Sequence, residues 1–288
     1  MNTQTLYQMN TIFISIIIEA LPFILIGVIV SGIIQIFVSE EMIAKFMPKN
    51  TILAVIVASF LGSIIPACEC GIVPITRRLL LKGVSLPAAI AFMMTGPIIN
   101  PIVLFSTYIA FGNSWTFVLY RGGFALLVSI IVGILLKIFI KESPLKNEIS
   151  SHSHYQTFKE RITAMLRHSI DEFFSVGKYL VLGSLIAAAV QTFIKTSTLV
   201  SIGNGPVSSH LVMMGLAYVL SLCSQADAFV AASFRSSFST GSLVAFLVFG
   251  PMLDIKNTFM LLSTFKSKFV LLLIGFITIT VLIVTIGL

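Results

Sequence analysis

Long apolar runs separated by short polar pieces set the pattern of this chain. Eight runs approach the ~20 residues a helix needs to cross a hydrocarbon core: Ile12–Val38, Thr51–Ala67, Leu86–Phe111, Ser114–Ile140, Phe173–Ile194, His210–Cys223, Ser242–Thr264 and Phe269–Leu288. The sixth is short and is expected to continue into the polar stretch after Cys223. The runs are continuous rather than alternating. In lipid only helices and closed barrels satisfy every backbone group, so the pattern predicts an all-α, polytopic membrane protein. Met1 to Ile18 contains no Lys or Arg, so the first run reads as a retained span, not a signal peptide.

Composition agrees. Of 288 residues, 57% are hydrophobic and 10% charged, against ~25% charged in a soluble domain. A soluble fold could not hide so much apolar surface, so the partner of most of the surface is the lipid bilayer. The net charge of +7 is spread over short pieces between apolar runs, which argues against nucleic acid. Three cysteines make no disulfide framework.

The basic residues orient the spans. With eight crossings, Arg77, Arg78, Lys82, Lys137, Lys141, Lys146, Lys159, Arg161, Arg167, Lys178 and Arg235 share one side. Lys45, Lys49, Lys195, Lys266 and Lys268 share the other. The richer side is expected to be cytoplasmic, with both termini, in the cell (inner or plasma) membrane. Residues 143–172 read as a cytoplasmic linker between a first transmembrane repeat (1–142) and a second (173–288). Within the linker, Phe158–Asp171 carries Ile162, Met165, Leu166 and Ile170 at helical spacing, which suits an amphipathic helix on the membrane surface or a plain run into span five. His152 and His154 read as solvated loop.

The two halves share an ordered set of matches. Gly27, Gln35 and Phe37 fall on Gly183, Gln191 and Phe193; Cys68 on Cys223; Arg78 on Arg235. Gly96-Pro97-Ile98-Ile99-Asn100 falls on Gly250-Pro251-Met252-Leu253-Asp254. This order predicts an internal repeat of two four-helix units. Four crossings per unit make the repeats parallel; were the Gly-Pro segments to turn back instead, they would be inverted.

Polar chemistry falls at matching places. Pro66-Ala67-Cys68-Glu69-Cys70-Gly71-Ile72-Val73-Pro74 carries a carboxylate and two thiols on a stretch that two prolines keep from being a regular helix. Cys223-Ser224-Gln225-Ala226-Asp227 repeats the cysteine and the acid. Gly96-Pro97, with Asn100-Pro101 beyond, and Gly250-Pro251, with Asp254, interrupt spans three and seven. Proline suits a helix start, so each Gly-Pro is expected to open a half-helix whose positive end points inward. Paired interrupted spans point to a transporter site. Glu69 and Asp227 are candidates for proton or cation coupling, because burial favours a neutral carboxyl group. Glu19 is a weaker candidate, and Arg121 is expected to snorkel to the outer interface. Cys68, Cys70 and Cys223 could form a soft thiolate site for a metal, or simply pack as small apolar residues.

The first-half motif, the following Arg77-Arg78 and Gly83, and Thr95-Gly96-Pro97-Ile98-Ile99-Asn100-Pro101 resemble the bacterial and archaeal predicted-permease family that includes the organoarsenical efflux permeases. The resemblance runs through both halves. It implies an eight-span or similar polytopic inner-membrane permease, and it admits a separately encoded small membrane subunit; no cofactor is expected from the sequence. It does not fix the substrate.

The expected function is therefore a secondary permease moving a small solute or ion between two repeats. The alternative is the membrane subunit of a multi-component permease. An intramembrane enzyme is disfavoured, since the sequence has no GxSxG, HExxH or phosphate-binding glycine loop.

Overall fold

The computed structural model describes residues 3–37, 42, 47–48, 50–64, 68–140, 144–146, 158–193 and 205–288. Pro66, Ala67, His152 and His154 lie outside these. The described residues form twelve helices. In the first half they are α1 (Thr3–Phe37), α2 (Thr51–Ile64), α3 (Glu69–Leu81), α4 (Leu86–Thr95), α5 (Pro101–Ala110) and α6 (Trp115–Phe139). The second half has α7 (Phe158–Phe193), α8 (Pro206–Leu220), α9 (Ser224–Ser233), α10 (Thr240–Met252), α11 (Ile255–Thr264) and α12 (Ser267–Thr285).

The fold is a polytopic helical bundle, and the described residues do not divide into eight separate helices each long enough to cross. Five stretches are long and apolar enough to cross a membrane: Thr3–Ile34, Trp115–Phe139, Ile162–Phe193, Thr240–Thr264 and Ser267–Thr285. The run Leu86–Phe111 splits into two ten-residue helices, and α2 and α8 are also short. The segment Phe158–Asp171 is the opening of α7, which continues unbroken to Phe193.

Contacts between helix ends sort the elements. At one end of the bundle Leu145 bridges to Phe265, Lys266 N–H donates to the Pro144 carbonyl at 2.9 Å, and Thr51, Leu80, Ser85 and Lys137 line one cleft with Pro144. At the other end the Arg235 guanidinium lies 5.7 Å from the Phe117 ring centroid, and His210 meets the Thr285 carbonyl beside Gly241. These contacts overturn the expected division of charges. Lys146 and Lys266, assigned to opposite sides, meet at one end; Arg235 lies at the other, beside the start of α6. The reason is that α2 and α3 do not carry the chain across. Thr51 at the start of α2 and Leu80 near the end of α3 share the same cleft, so the pair goes in and returns.

Helix character follows burial. Residues Gly241–Met252 of α10 and Pro87–Thr95 of α4 are buried on every face, as expected of helices that are apolar all round. The long helices instead expose Leu, Ile and Phe, such as Ile18 on α1, Phe174 on α7 and Ile283 on α12, where lipid is the natural solvent. Helices α1 and α7 lie antiparallel: Ile16 packs with Ala187, while Ser169 Oγ donates to the Val28 carbonyl at 3.1 Å. Between α1, α3 and α7, Glu172 Oε2 accepts from Ser31 Oγ at 2.7 Å and Arg78 Nη2 at 3.2 Å, with Arg77 at 3.6 Å from Oε1.

Helices α1 and α3 touch through Gly27 and Gly71. A Cβ on Gly27 would meet the Gly71 carbonyl oxygen, with the Gly71 Cα only 2.7 Å away. Backbone cannot step aside as a side chain can. Gly27→Ala should therefore cost about 1–3 kcal/mol of overpacking, seen as a lower unfolding midpoint in detergent. Gly177→Ala, where a Cβ meets open space, is the control. Equal midpoints for the two variants would contradict this packing.

Candidate functional site

Four helices begin around one cavity of about 160 Å³. Helix α3 brings Glu69 and Cys70, with Cys68 just before it; α5 brings Ile102 and Val103, with Asn100 before it; α9 brings Ser224 and Gln225, with Cys223 before it; α11 brings Lys256. Ile16, Glu19, Ala20 and Phe23 of α1 and Pro97 complete the wall. The starts are capped by the residues the two halves share. Asn100 Oδ1 accepts from Val103 N–H at 3.0 Å, Asp254 Oδ1 from Asn257 N–H at 2.6 Å, and Cys223 Sγ from Ala226 N–H at 3.4 Å. Asn100, Asp254 and Cys223 are thus side-chain helix caps, while Cys68 holds the N-cap position of α3 without a side-chain cap bond.

The expected role of the Gly-Pro pairs needs correction. Neither opens a half-helix. Gly96 closes α4, and Gly250-Pro251 lies in the last turn of α10. The next helices start three to four residues later, at Pro101 and Ile255. Proline forbids the hydrogen bond that would continue the helix, and the polar cap restarts it after an extended residue. The half-helices and their inward positive ends exist, displaced to Asn100 and Asp254.

Charges at the cavity are tied across the two halves. Lys256 Nζ lies 3.3 Å from Glu69 Oε1 and 3.6 Å from Asp254 Oδ2. It donates to the Ser221 carbonyl at 2.9 Å. Ser224 Oγ donates to Glu69 Oε2 at 3.3 Å. Arg121 is wholly buried: its Nη1 donates to Thr107 Oγ1 and its Nη2 to the Ser224 carbonyl, each at 2.7 Å. The expected snorkelling of Arg121 is wrong. It sits on the inward face of α6, where α5 and α9 supply oxygen acceptors that a lipid interface could not better. Asp227 stands behind the wall. Its Oδ2 is buried without a hydrogen-bond partner, 3.1 Å from where a Cβ on Gly250 would lie.

The structure therefore collects Cys68, Glu69, Cys70, Pro97, Asn100, Cys223 and Gln225 of the sequence candidates on the cavity wall. Asp227 and Asp254 lie just behind it. Gly71 and Gly96 serve close packing, against α1 and Ile72. Pro74 lies inside α3 and Pro101 in the first turn of α5. The three thiols share the wall, but among the described residues no group of three or more His, Cys, Asp and Glu is placed to hold a metal ion. Sequence reasoning missed Ser224 as a wall residue and Lys256 as its central cation. The signal for Lys256 was present, since a lysine two residues from an acid within an apolar run needs an inward partner.

A chain of this architecture can be compared with known proteins. Residues 5–287 match the family described as predicted permease. The chain belongs to that family. The UPF0718 protein YcgR of Bacillus subtilis is 64% identical over 278 residues, 96% of this chain and 95% of its own. A Streptococcus mutans protein, provisionally named a two-component membrane permease complex subunit, is 48% identical over 273 residues, 93% and 90% of the two chains. The UPF0718 protein MJ0584 of Methanocaldococcus jannaschii is 27% identical over 160 residues, 52% and 43%. No solved structure matches.

In this permease Arg121 compensates buried acids. Removing one partner of a buried charge set costs about 3–5 kcal/mol. Arg121→Met should lower the unfolding midpoint sharply, and Arg121→Met with Asp227→Asn should recover part of the loss. A double variant no more stable than Arg121→Met would separate the two residues.

Proposed function

We propose that this permease is a secondary transporter whose two halves are inverted copies with the solute pathway between them. The observation that carries the reading is the bridging of the cavity. Glu69 of the first half is held by Lys256 and Ser224 of the second, and Arg121 of the first half by the Ser224 carbonyl of the second. A cavity bridged by these three polar ties opens and closes when the halves move.

Several facts support inversion over the parallel arrangement. Helix α5 packs on α9 while α11 packs on α3, so each half lends its second half-helix to the other half's returning pair. Helices α1 and α7 run in opposite directions. Six crossings (α1, α4–α5, α6, α7, α10–α11, α12) and two returning pairs follow, the pairs entering from opposite faces. The face at Lys82, Lys137, Lys146, Lys266 and Lys268 is then the richly basic one, and by the positive-inside rule it is cytoplasmic. Both termini fall on the other face, the reverse of the sequence expectation. Cysteines introduced at Gly287 and Lys268 test this in whole cells. A membrane-impermeant maleimide should label position 287 and spare 268; the opposite result refutes the orientation.

Coupling follows from the charge balance. Among the described residues, Glu69, Asp227 and Asp254 are buried with Lys256 and Arg121 as the buried bases near them. One acid is left to take up a proton, and Asp227, whose Oδ2 lacks a hydrogen-bond partner and, unlike that of Asp254, faces no ammonium within 4 Å among the described residues, is the carrier. The thiols on the wall favour a thiol-reactive solute, with a metal, metalloid or organoarsenical as cargo and efflux as the direction. A sensitivity screen of a deletion strain against metals, metalloids and small solutes identifies the cargo, and vesicle flux follows. Asp227→Asn should keep downhill flux but lose its response to a pH gradient. Glu69→Gln should abolish flux while leaving insertion intact. Normal, pH-driven flux in both variants would remove the acids from the mechanism.

A second reading rests on the Streptococcus relative, whose name makes it a subunit of a two-component complex. In that case a small membrane protein copurifies with the tagged chain and is needed for flux.

A further inference from the structure

The ammonium of Lys256 lies in a nest of oxygens drawn from three separate elements. The Ser221 carbonyl is at 2.9 Å, Glu69 Oε1 at 3.3 Å and Asp254 Oδ2 at 3.6 Å. All four residues are buried. Asp254 Oδ2 has no hydrogen-bond partner and faces the ammonium, while Oδ1 is taken up by the Asn257 N–H.

The nest is built rather than incidental. Ser221 is a non-glycine residue at φ 46°, in the left-handed region, and this conformation aims its carbonyl at Lys256. Such strain persists only where surrounding structure holds it. Here Ile255 N–H donates to Ser221 Oγ at 3.2 Å, locking the turn between α8 and α9 to the start of α11. Asp254 is fixed by capping α11, and Glu69 by Ser224. Each oxygen is held independently of the lysine.

Two carboxylates and a backbone carbonyl, presented from rigid elements, are the ligands of a hard cation. We propose that this is a monovalent-cation site and that Lys256 fills it as a tethered cation. One positive charge is present where a free alkali ion would otherwise bind, so the native chain needs neither sodium nor potassium to keep its cavity neutral. A plain structural ion pair would also bring an amine to two acids. It would leave no selective place for a free ion once the amine is removed.

The inference concerns the nest itself, and its consequence for coupling rests on the transporter reading. The test is therefore a binding readout, so its failure is distinct from a failure of that reading. Full-length wild type, Lys256→Ala and Lys256→Ala with Glu69→Gln are purified in detergent in choline chloride. Thermal unfolding is followed as choline is replaced by sodium or potassium at constant ionic strength. Lys256→Ala should start well below wild type and recover most of the loss with one of the two ions. Wild type and the double variant should respond little. The site is refuted if Lys256→Ala responds to neither ion, or if all three proteins shift alike. Should Lys256→Ala yield no folded protein in choline, extraction is repeated with sodium and with potassium. Folded protein in either salt supports the site, and none in both refutes it.

Discussion

A carboxylate buried inside an apolar helical bundle must be neutralised, and the pairing of Glu69 with Lys256 is how this chain begins to do it. A lone charge at a bilayer centre costs ~2.5–3.5 kcal/mol or more. Neither residue could stay in place if its half of the molecule were withdrawn. The turn at Cys68 and the turn at Cys223 are possible for the same reason. Irregular backbone within a membrane survives only against protein or a polar cavity, and each turn is faced by the start of a helix from the opposite half. Four helix N-termini around one cavity add the positive ends that buried acids require.

Helix α3 concentrates these constraints. Its first residue, Glu69, reaches Lys256, and Arg78 in its last turn reaches Glu172. Both partners belong to the second half, so a short helix of the first half is anchored at both ends to the other. Along its length, Gly71 lies against Gly27 with no room for a side chain. A rod clamped this way moves with the second half or breaks charge pairs. The two halves are thus joined both at the cavity, through Glu69, and along α1 and α7, through Glu172.

Much of this was legible in the sequence. Hydropathy gave the helical membrane class, because apolar runs have one solution in lipid. The ordered matches picked out Cys68 with Cys223 and Asn100 with Asp254, and all four stand at the N-cap positions of helices beginning at the cavity. Hydropathy could not give the path of the chain. A returning pair of helices and a single crossing can carry the same apolar content, so the runs beginning at Thr51 and His210 read as spans. The sides assigned to Lys266 and Arg235 followed from that count of crossings. Arg121 was misplaced for a related reason: a window average places a residue in depth but not on an inward or outward face. Lys256 was visible as a charge but not as the centre of the site, since its partners come from residues 35 and 187 positions away, at Ser221 and Glu69.

A double-mutant cycle on Glu69 and Lys256 tests the central claim most directly. Unfolding of the wild type, Glu69→Gln, Lys256→Met and the double variant is compared in buffer free of sodium and potassium. Contacting residues couple by about 0.5–3 kcal/mol, whereas distant ones add within about 0.5 kcal/mol. The double variant should be less destabilised than the sum of the single changes, by an amount within that coupling range. Simple additivity would mean that the two halves are not joined through this pair, and would contradict the account.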